Sequence, residues 1–417
     1  MAAVDRLLLR NYQRSSDLMK NPKSFLTELG IANEKHVQDD AKYFSLMDAA
    51  GVDLAAFEGG NPFGPEFQAA LFPNEKISRW TLCRDYKRLS GVLETALHLE
   101  GLPASPRRII DLGGGPGVVG MWYATRFPSA EVVVMDRAEA ALNYGRHLAT
   151  KIGLSKVSFV NASYADLANG AHGEFDIVLF HHAILFATDP LERQSSLYER
   201  YSPDTPPLAE ASEAAAALAS CLTPSGVAVT NFSCPSYARF IDFFEALRLV
   251  GVGVDWRGTE ARHKMAQDGQ FALDDWTIML RKGIPHLLAD SLLDAYSLLT
   301  LGRFFGEPLS LGIAGEPIAR LFENAQAVLR FRAQYHNEPD KPEETLDLLL
   351  GSGMALFRHA TTKGFNRTLL TSAAASLDFY AQGTQWLEKM EASPDVRVIE
   401  NHVDDSFQEL VTYYDSL

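Results

Sequence analysis

Cysteine is scarce in this chain. Its 417 residues include three, Cys83, Cys221 and Cys234, far apart and without C-x-x-C spacing, so neither a disulfide framework nor a zinc site is suggested. A reducing cytoplasm is the expected setting. Cations are also in deficit: 38 Lys and Arg against 53 Asp and Glu leave a formal charge of -15. A nucleic-acid backbone is held by clustered cations, so nucleic acid is not the expected partner and a small molecule is. No apolar run approaches the length of a membrane span, and Met1 to Arg10 lack the apolar core and cleavage site of a signal peptide. No membrane partner is expected. What remains is an ordinary globular composition, 47% hydrophobic and 22% charged, at a length that calls for two or three domains.

The most informative stretch is Arg107-Arg108-Ile109-Ile110-Asp111-Leu112-Gly113-Gly114-Gly115-Pro116-Gly117. Ile109 and Ile110 open an apolar strand that ends in a carboxylate. Gly113, Gly115 and Gly117 then turn the chain into Val118 to Ala124, which reads as a helix. A turn so rich in glycine lets backbone N–H groups approach a ligand with no Cβ in the way. About twenty residues on, a second apolar strand, Glu131 to Met135, ends in Asp136, where a doubly wound sheet offers a carboxylate to a ribose diol. The implied ligand is nucleoside-shaped. Gly115, Gly117 and Gly120 also spell G-x-G-x-x-G, the dinucleotide fingerprint, but that pattern should begin directly at the strand end, and here four residues intervene.

The segment resembles motif I of class I S-adenosylmethionine (SAM) dependent methyltransferases, the D-x-G-x-G-x-G turn. The resemblance implies that Asp111 helps to hold the amino-acid end of SAM, that Gly113, Gly115 and Gly117 pass beneath it, and that Asp136 takes the ribose hydroxyls. It further implies cofactor contacts from Arg137, Ser163, Tyr164 and Phe180. SAM has no pyrophosphate, so a phosphate-binding helix start is unnecessary. One departure stands out: where the family usually has Gly-Asp after the third strand, its carboxylate receiving the adenine amino group, this chain has Ala162-Ser163. Ser163 brings a hydroxyl but no charge, and Asp166 or a backbone carbonyl is the alternative acceptor.

The order of elements supports the same fold class. Strands are expected at 108–112, 131–135, 157–161, 175–180, 226–232, 252–257 and 275–281, with helices at 117–126, 138–151 and 236–249 between them. This is an α/β protein with a Rossmann-like seven-stranded methyltransferase sheet, its last strand antiparallel, over residues 101–283. Residues 1–100 read as an N-terminal helical region that covers the substrate pocket or builds a homodimer. Residues 284–417 read as a C-terminal helical region, with helices expected at 286–304, 316–335, 343–359, 365–390 and 403–415. The segment 187–207 reads as a loop over the active-site mouth or as a plain surface excursion.

Chemistry is expected beyond the carboxyl end of the fourth strand, where the chain reads Phe180-His181-His182. Histidine deprotonates a hydroxyl or amine near neutral pH, so His181 or His182 is the expected base. Neighbours on a strand point to opposite faces, and at most one enters the pocket; the bland alternative is a histidine packed beside the sheet. No carboxylate stands at ligand spacing, so no metal is expected. Arg84, Tyr86, Asn231, Ser233, Tyr237, His263, Arg358, His359 and Arg367 are further polar candidates, each more simply read as structural. The expected activity is methyl transfer from SAM to a small molecule, at oxygen ahead of nitrogen or carbon. Its rivals are another SAM-consuming reaction on this fold, such as intramolecular cyclisation, and a non-catalytic SAM-binding subunit.

Overall fold

Buried apolar strands bounded by glycine and polar turns set out the central sheet. The computed structural model describes residues 21–52, 65–99, 101–170, 172–181, 209–232, 243–244, 246–255 and 276–284, and beyond them 309–311, 329–335, 344–350, 354–361, 366–372, 392 and 396–403. Its seven-stranded sheet contains β1 (Arg108–Leu112), β2 (Glu131–Asp136), β3 (Val157–Asn161), β4 (Phe175–His181), β5 (Leu222–Phe232), β6 (Val252–Val254) and β7 (Trp276–Lys282). The order is β3-β2-β1-β4-β5-β7-β6. β1 pairs in parallel with β2 and with β4, placing Asp111 beside Val134 and Leu179. β7 runs antiparallel to β6. Every expected strand of this sheet is present.

The chain leaves β1 for β2 and β3 on one side and then returns to β4 on the other. Order therefore reverses at β1, and the crevice this opens at the carboxyl ends of the strands is where ligands bind in such sheets. Central strands are covered on both faces and need apolar residues at every position. Ile109, Ile110, Ile177, Val178 and Leu179 are accordingly all fully buried.

Helices α1 (Pro22–Leu29), α2 (Lys35–Gln38), α3 (Asp40–Ala49), α4 (Pro65–Leu71), α5 (Glu75–Arg84) and α6 (Tyr86–His98) precede the sheet, while α7 (Val118–Arg126) and α8 (Glu139–Ile152) follow β1 and β2. α1 begins on Asn21, whose side chain accepts from the N–H of Lys23 and of Ser24, and stops at Gly30 in the left-handed region. Its last carbonyls carry the negative end of the helix dipole, and Lys151 of α8 donates to Leu29 O at 3.2 Å. Phe25 meets Trp122 of α7 edge-on, with centroids 5.2 Å apart. α1, α4, α5 and α6 thus pack on α7 and α8, and one apolar core runs from Phe25 and Leu93 through Trp122 to Ile109 and Val229. α9 (Tyr164–Ala168) and α10 (Ala209–Cys221) come later in the chain, and the described residues within 243–249, in the helix expected at 236–249, are helical too.

Past residue 284 the expected helices are corrected. The described residues form β8 (Leu309–Leu311), β9 (Leu329–Tyr335), β10 (Glu344–Leu350), β11 (Met354–Thr361), β12 (Asn366–Ser372) and β13 (Val396–Val403), an antiparallel sheet in the order β13-β9-β10-β11-β12-β8. Two physical reasons account for it. Leu329-Arg330-Phe331-Arg332-Ala333-Gln334-Tyr335 alternates apolar and polar residues, the period of a strand and not of a helix. Gly351-Ser352-Gly353 falls in the middle of the presumed helix at 343–359, and Leu350 pairs across it with Ala355. The presumed helices at 286–304 and, past its first residue, 403–415 lie outside the described residues. By chain contacts the described residues divide into two compact units, one drawn from 1–188, 220–233 and 269–279, the other from 189–219, 234–268 and 280–417.

One packing contact ties α8 to the loop after β1. A Cβ on Gly145 would stand 2.5 Å from both Pro116 O and Phe159 Cε1, and the backbone at Pro116 does not yield cheaply. Gly145→Ala is expected to cost about 2 kcal/mol or more, as overpacking does, read as a lowered midpoint in urea denaturation followed by circular dichroism. A midpoint equal to wild type would show that α8 does not press on the turn.

Candidate active site

The site is built from the loop after β1. Gly113, Gly115 and Gly117 all have positive φ (63°, 53° and 73°). Gly117 is the most constrained of them, since it caps α7 in that conformation and a Cβ on it would lie 2.7 Å from Val134 Cγ2. Gly117 N donates to Gly114 O at 2.8 Å, and Gly114 N donates to Met135 O at 3.2 Å. The loop is thereby closed on itself and fastened to the end of β2. At Gly115 an added Cβ would meet nothing within 4 Å; this glycine faces open space.

Asp111 lies beneath the turn, 2% exposed. Its Oδ2 accepts from Gly120 N, in the first turn of α7, at 2.8 Å. Added Cβ atoms at Gly114 and Gly120 would come within 2.8 Å and 3.0 Å of that oxygen, so both glycines admit the carboxylate. Burial pushes the Asp111 carboxyl up to about 7; the Gly120 N–H opposes the shift and the nearby Asp136 charge adds to it. Gly120 was read from sequence only as part of a competing fingerprint, and Gly114 and Gly145 were not singled out. A glycine inside an apolar helix is the one signal that would have flagged Gly120 and Gly145.

Asp136 ends β2 opposite Asn161 of β3. Its Oδ2 accepts from Gly115 N and its Oδ1 from Ala138 N, both at 2.8 Å. The carboxylate therefore braces the glycine turn from the neighbouring strand. Ala162 N donates to Asp136 O at 3.2 Å and Asn161 Nδ2 to Arg137 O at 3.1 Å, which brings the end of β3 alongside. Ser163 opens α9, and both its N–H and its hydroxyl donate to Asp166 Oδ2 at 2.8 Å. Burial raises the Tyr164 phenol well above its ordinary range; Asp136 and Asp111 add to the rise and Arg137 offsets part of it. Asp111, Gly113, Gly115, Gly117, Asp136, Arg137, Ser163 and Tyr164 are thus gathered at one edge of the sheet.

Phe180 is 1% exposed and belongs to the core, its carbonyl held by Thr230 Oγ1 at 2.8 Å. His181 is half-buried at the end of β4, in register with Asn231. His182, the segment 187–207, Ser233, Tyr237 and His263 lie outside the described residues. Arg84 stands over the rings of Tyr43 and Phe44 at 4.7 and 5.3 Å. His359 and Arg367 are register partners in the second sheet, and Arg358 pairs with Thr368. Among the described residues no group of three His, Cys, Asp or Glu side chains is placed to hold a metal ion.

The strand order with its antiparallel β7 and the braced D-x-G-x-G-x-G turn meet in one further finding: the family described as a methyltransferase domain matches residues 109–202. Residues 109–202 carry a methyltransferase domain. Relatives share parts of it. A release factor glutamine methyltransferase of Xylella fastidiosa is 32% identical over 100 residues, 24% of this chain and 35% of the relative. The ribosomal RNA small subunit methyltransferase G of Levilactobacillus brevis is 24% identical over 125 residues, 29% of this chain and 51% of the relative. The chain thus spans about a third to a half of the length of these curated relatives. An O-methyltransferase family protein from Burkholderia thailandensis superimposes with a TM-score of 0.31 at 16% identity, over 67% of this chain and 69% of that one.

The cofactor of the methyltransferase domain is SAM, and the site fits it. Open space above Gly115 leaves room for a ligand against the backbone. A dinucleotide's pyrophosphate would seek the N-terminus of α7, where unpaired N–H groups and the dipole favour an anion. That end already holds a carboxylate of the protein's own, since Gly120 N is taken by Asp111. A cationic ligand without phosphate meets no such conflict. Each Asp136 oxygen accepts one N–H and keeps a second lone pair for a hydroxyl.

A buried carboxyl raised from 3.8 to about 7 sets a pH dependence. The folded protein holds the proton through a range in which the unfolded chain has lost it. The stability that this protonated group contributes is complete below pH 4 and is lost as pH rises towards 7. Asp111→Asn removes the titration and keeps an acceptor for Gly120 N. Relative to this variant the wild type is expected to lose on the order of 1 kcal/mol per pH unit between pH 4 and 7 and nothing further above it, measured by urea denaturation of both proteins across pH 4.5–8.5. Parallel curves would show that Asp111 is ionised throughout.

Proposed function

We propose that the protein transfers the methyl group of SAM to a small-molecule acceptor at oxygen. The observation that carries this reading is the glycine turn braced by Asp111 and Asp136 at the switch point of the sheet. In it Asp136 accepts the ribose hydroxyls while the Gly113–Gly117 backbone passes beneath the methionine portion. Arg137 and Tyr164 flank the ribose, and Phe180 supports the floor from the core. The methyl group arrives already activated as a sulfonium, so the protein's task is to align the acceptor and exclude water. A neutral hydroxyl must also lose its proton. In this reading His181, at the end of β4, accepts it, with His182 as its neighbour in sequence.

The formal charge of -15 supports a small acceptor over nucleic acid, because an RNA backbone is bound through cations. Helices 1–100 and the region from 284 serve in this reading as pocket cover or dimer surface. Cys83 is a buried thiol outside any disulfide, which accords with a cytoplasmic setting. No described helix is long and apolar enough to cross a membrane. A second reading, a protein or ribosomal RNA acceptor, draws on the names of the curated relatives.

The test is methyl transfer from radiolabelled SAM in an extract depleted of endogenous cofactor, followed by size separation. Label in the low-mass fraction is expected; label confined to protein or RNA would overturn the small-acceptor reading. With the acceptor in hand, His181→Ala is expected to lower kcat by about 10²–10⁴-fold, the usual worth of a general base, and to leave SAM affinity within about twofold. An unchanged kcat would remove His181 from the reaction.

A further inference from the structure

Asp111 is enclosed without a counter-ion beside it. Its neighbours in register, Val134 on β2 and Leu179 on β4, are fully buried and apolar. Among the described residues its carboxyl takes one hydrogen bond, from Gly120 N at 2.8 Å. The groups that act on it are that N–H and the charge of Asp136, which repels. Neither is a cation. Tyr123 of α7 and Tyr164 of α9 feel the Asp111 charge, but burial lifts both phenols far above the neutral range and they stay protonated. Arg126 and Arg137 act on those phenols. His181, two positions past Leu179, is the titratable group that β4 brings to this edge.

On the SAM reading of the site, the ligand brings the positive charge that the fold withholds. A Cβ on Gly114 would stand 2.8 Å from Asp111 Oδ2, whereas one on Gly115 would meet nothing within 4 Å. The turn therefore lies between the carboxyl and the space left for a ligand, and Asp111 meets the methionine portion through the backbone rather than by contact. Across such a partition a carboxyl responds to the sum of the ligand's charges. In SAM the sulfonium and the α-ammonium outweigh one carboxylate and leave one net positive charge. In S-adenosylhomocysteine the sulfur is a neutral thioether and the sum is zero.

We propose that Asp111 is a charge sensor for the cofactor: SAM binding ionises it and sends its proton to solvent, and conversion of the sulfonium to a thioether lets the proton return. In the first step the carboxyl O–H bond breaks and its electron pair stays on the oxygen; the second step reverses this. An opposite charge nearby favours the ionised carboxyl, so one positive charge enters the site as another leaves it. With the carboxyl raised to about 7 in the free protein, SAM must displace a proton below that pH and finds it already gone above it. SAM binding therefore tightens as pH rises from 6 towards 7 and then levels off, while S-adenosylhomocysteine, which displaces little, binds almost evenly. Acidification shifts the site from substrate towards product.

The experiment is calorimetric titration of the full chain with each of the two ligands at pH 6.5, in phosphate and in imidazole buffer. These buffers differ in heat of ionisation, so the difference in measured heat counts the protons released. Wild type is expected to release roughly half to one proton per SAM, the protonated share of a group that titrates near 7, and less than about a third of that with S-adenosylhomocysteine. Between pH 6 and 7.5 the affinity for SAM rises on the order of tenfold and that for S-adenosylhomocysteine stays within about threefold. Asp111→Asn, which cannot ionise, binds SAM without release and without the rise. His181→Ala keeps both, which assigns the proton to Asp111. Thermal midpoints show whether each variant is folded, and the contrast between the two ligands on wild type tests the sensor independently of them. Equal release with the two ligands, no release with SAM, or release retained in Asp111→Asn would overturn the proposal. Binding of neither ligand by wild type would instead strike the cofactor reading and take the sensor with it.

Discussion

The carboxylate of Asp111 is the constraint on which the rest of the site depends. It is buried beneath the glycine turn with its Oδ2 on Gly120 N; burial raises its pKa to about 7, and a polar group is kept inside only where a hydrogen bond satisfies it. Room for it comes from Gly114 and Gly120, whose absent side chains would occupy its place. Once it is there, α7 must start where it does and the turn must fold back over it. The two glycines beside Asp111 are therefore consequences of one buried group as much as of the ligand above them.

Asp136 extends this arrangement sideways. Gly115 N and Ala138 N hold its two oxygens, so the rim that offers lone pairs to a ribose is fixed before any ligand arrives. Preformed sites lose less ordering entropy on binding. The two carboxylates also give the turn its sign. Their mutual repulsion contributes to the rise in the Asp111 pKa, and a ligand with positive charge relieves it where a phosphate would deepen it. Electrostatics and chain order thus favour SAM over a dinucleotide on separate grounds.

Most of the sheet was legible because β1, β2 and β4 carry apolar runs closed by glycine, acidic or histidine residues, and because the glycines and Asp136 occur together at one spacing. The close approaches at Gly114, Gly120 and Gly145 were not, since they depend on which atoms of other elements arrive there. Ser163-Tyr164-Ala165-Asp166 does have the spacing of a capping box, yet in the sequence it was read only as a missing adenine carboxylate. In the C-terminal region Leu329 to Tyr335 alternates plainly, whereas Thr345-Leu346-Asp347-Leu348-Leu349-Leu350 suits a helix as well as a strand. Its pairing with β9 and β11 is long-range, and strand preference follows such neighbours more than the residues themselves.

The account rests on one cofactor in one register of the glycine turn, so its most direct test is binding without turnover. Calorimetric titration with SAM, S-adenosylhomocysteine and NAD, on wild type and on Asp136→Ala, addresses it. Micromolar binding of both adenosyl ligands, no binding of NAD, and loss of the adenosyl binding in the variant are the results predicted. Binding of NAD in place of the adenosyl ligands would contradict the account, and it would mean that the turn begins its fingerprint at Gly115 instead of at Asp111.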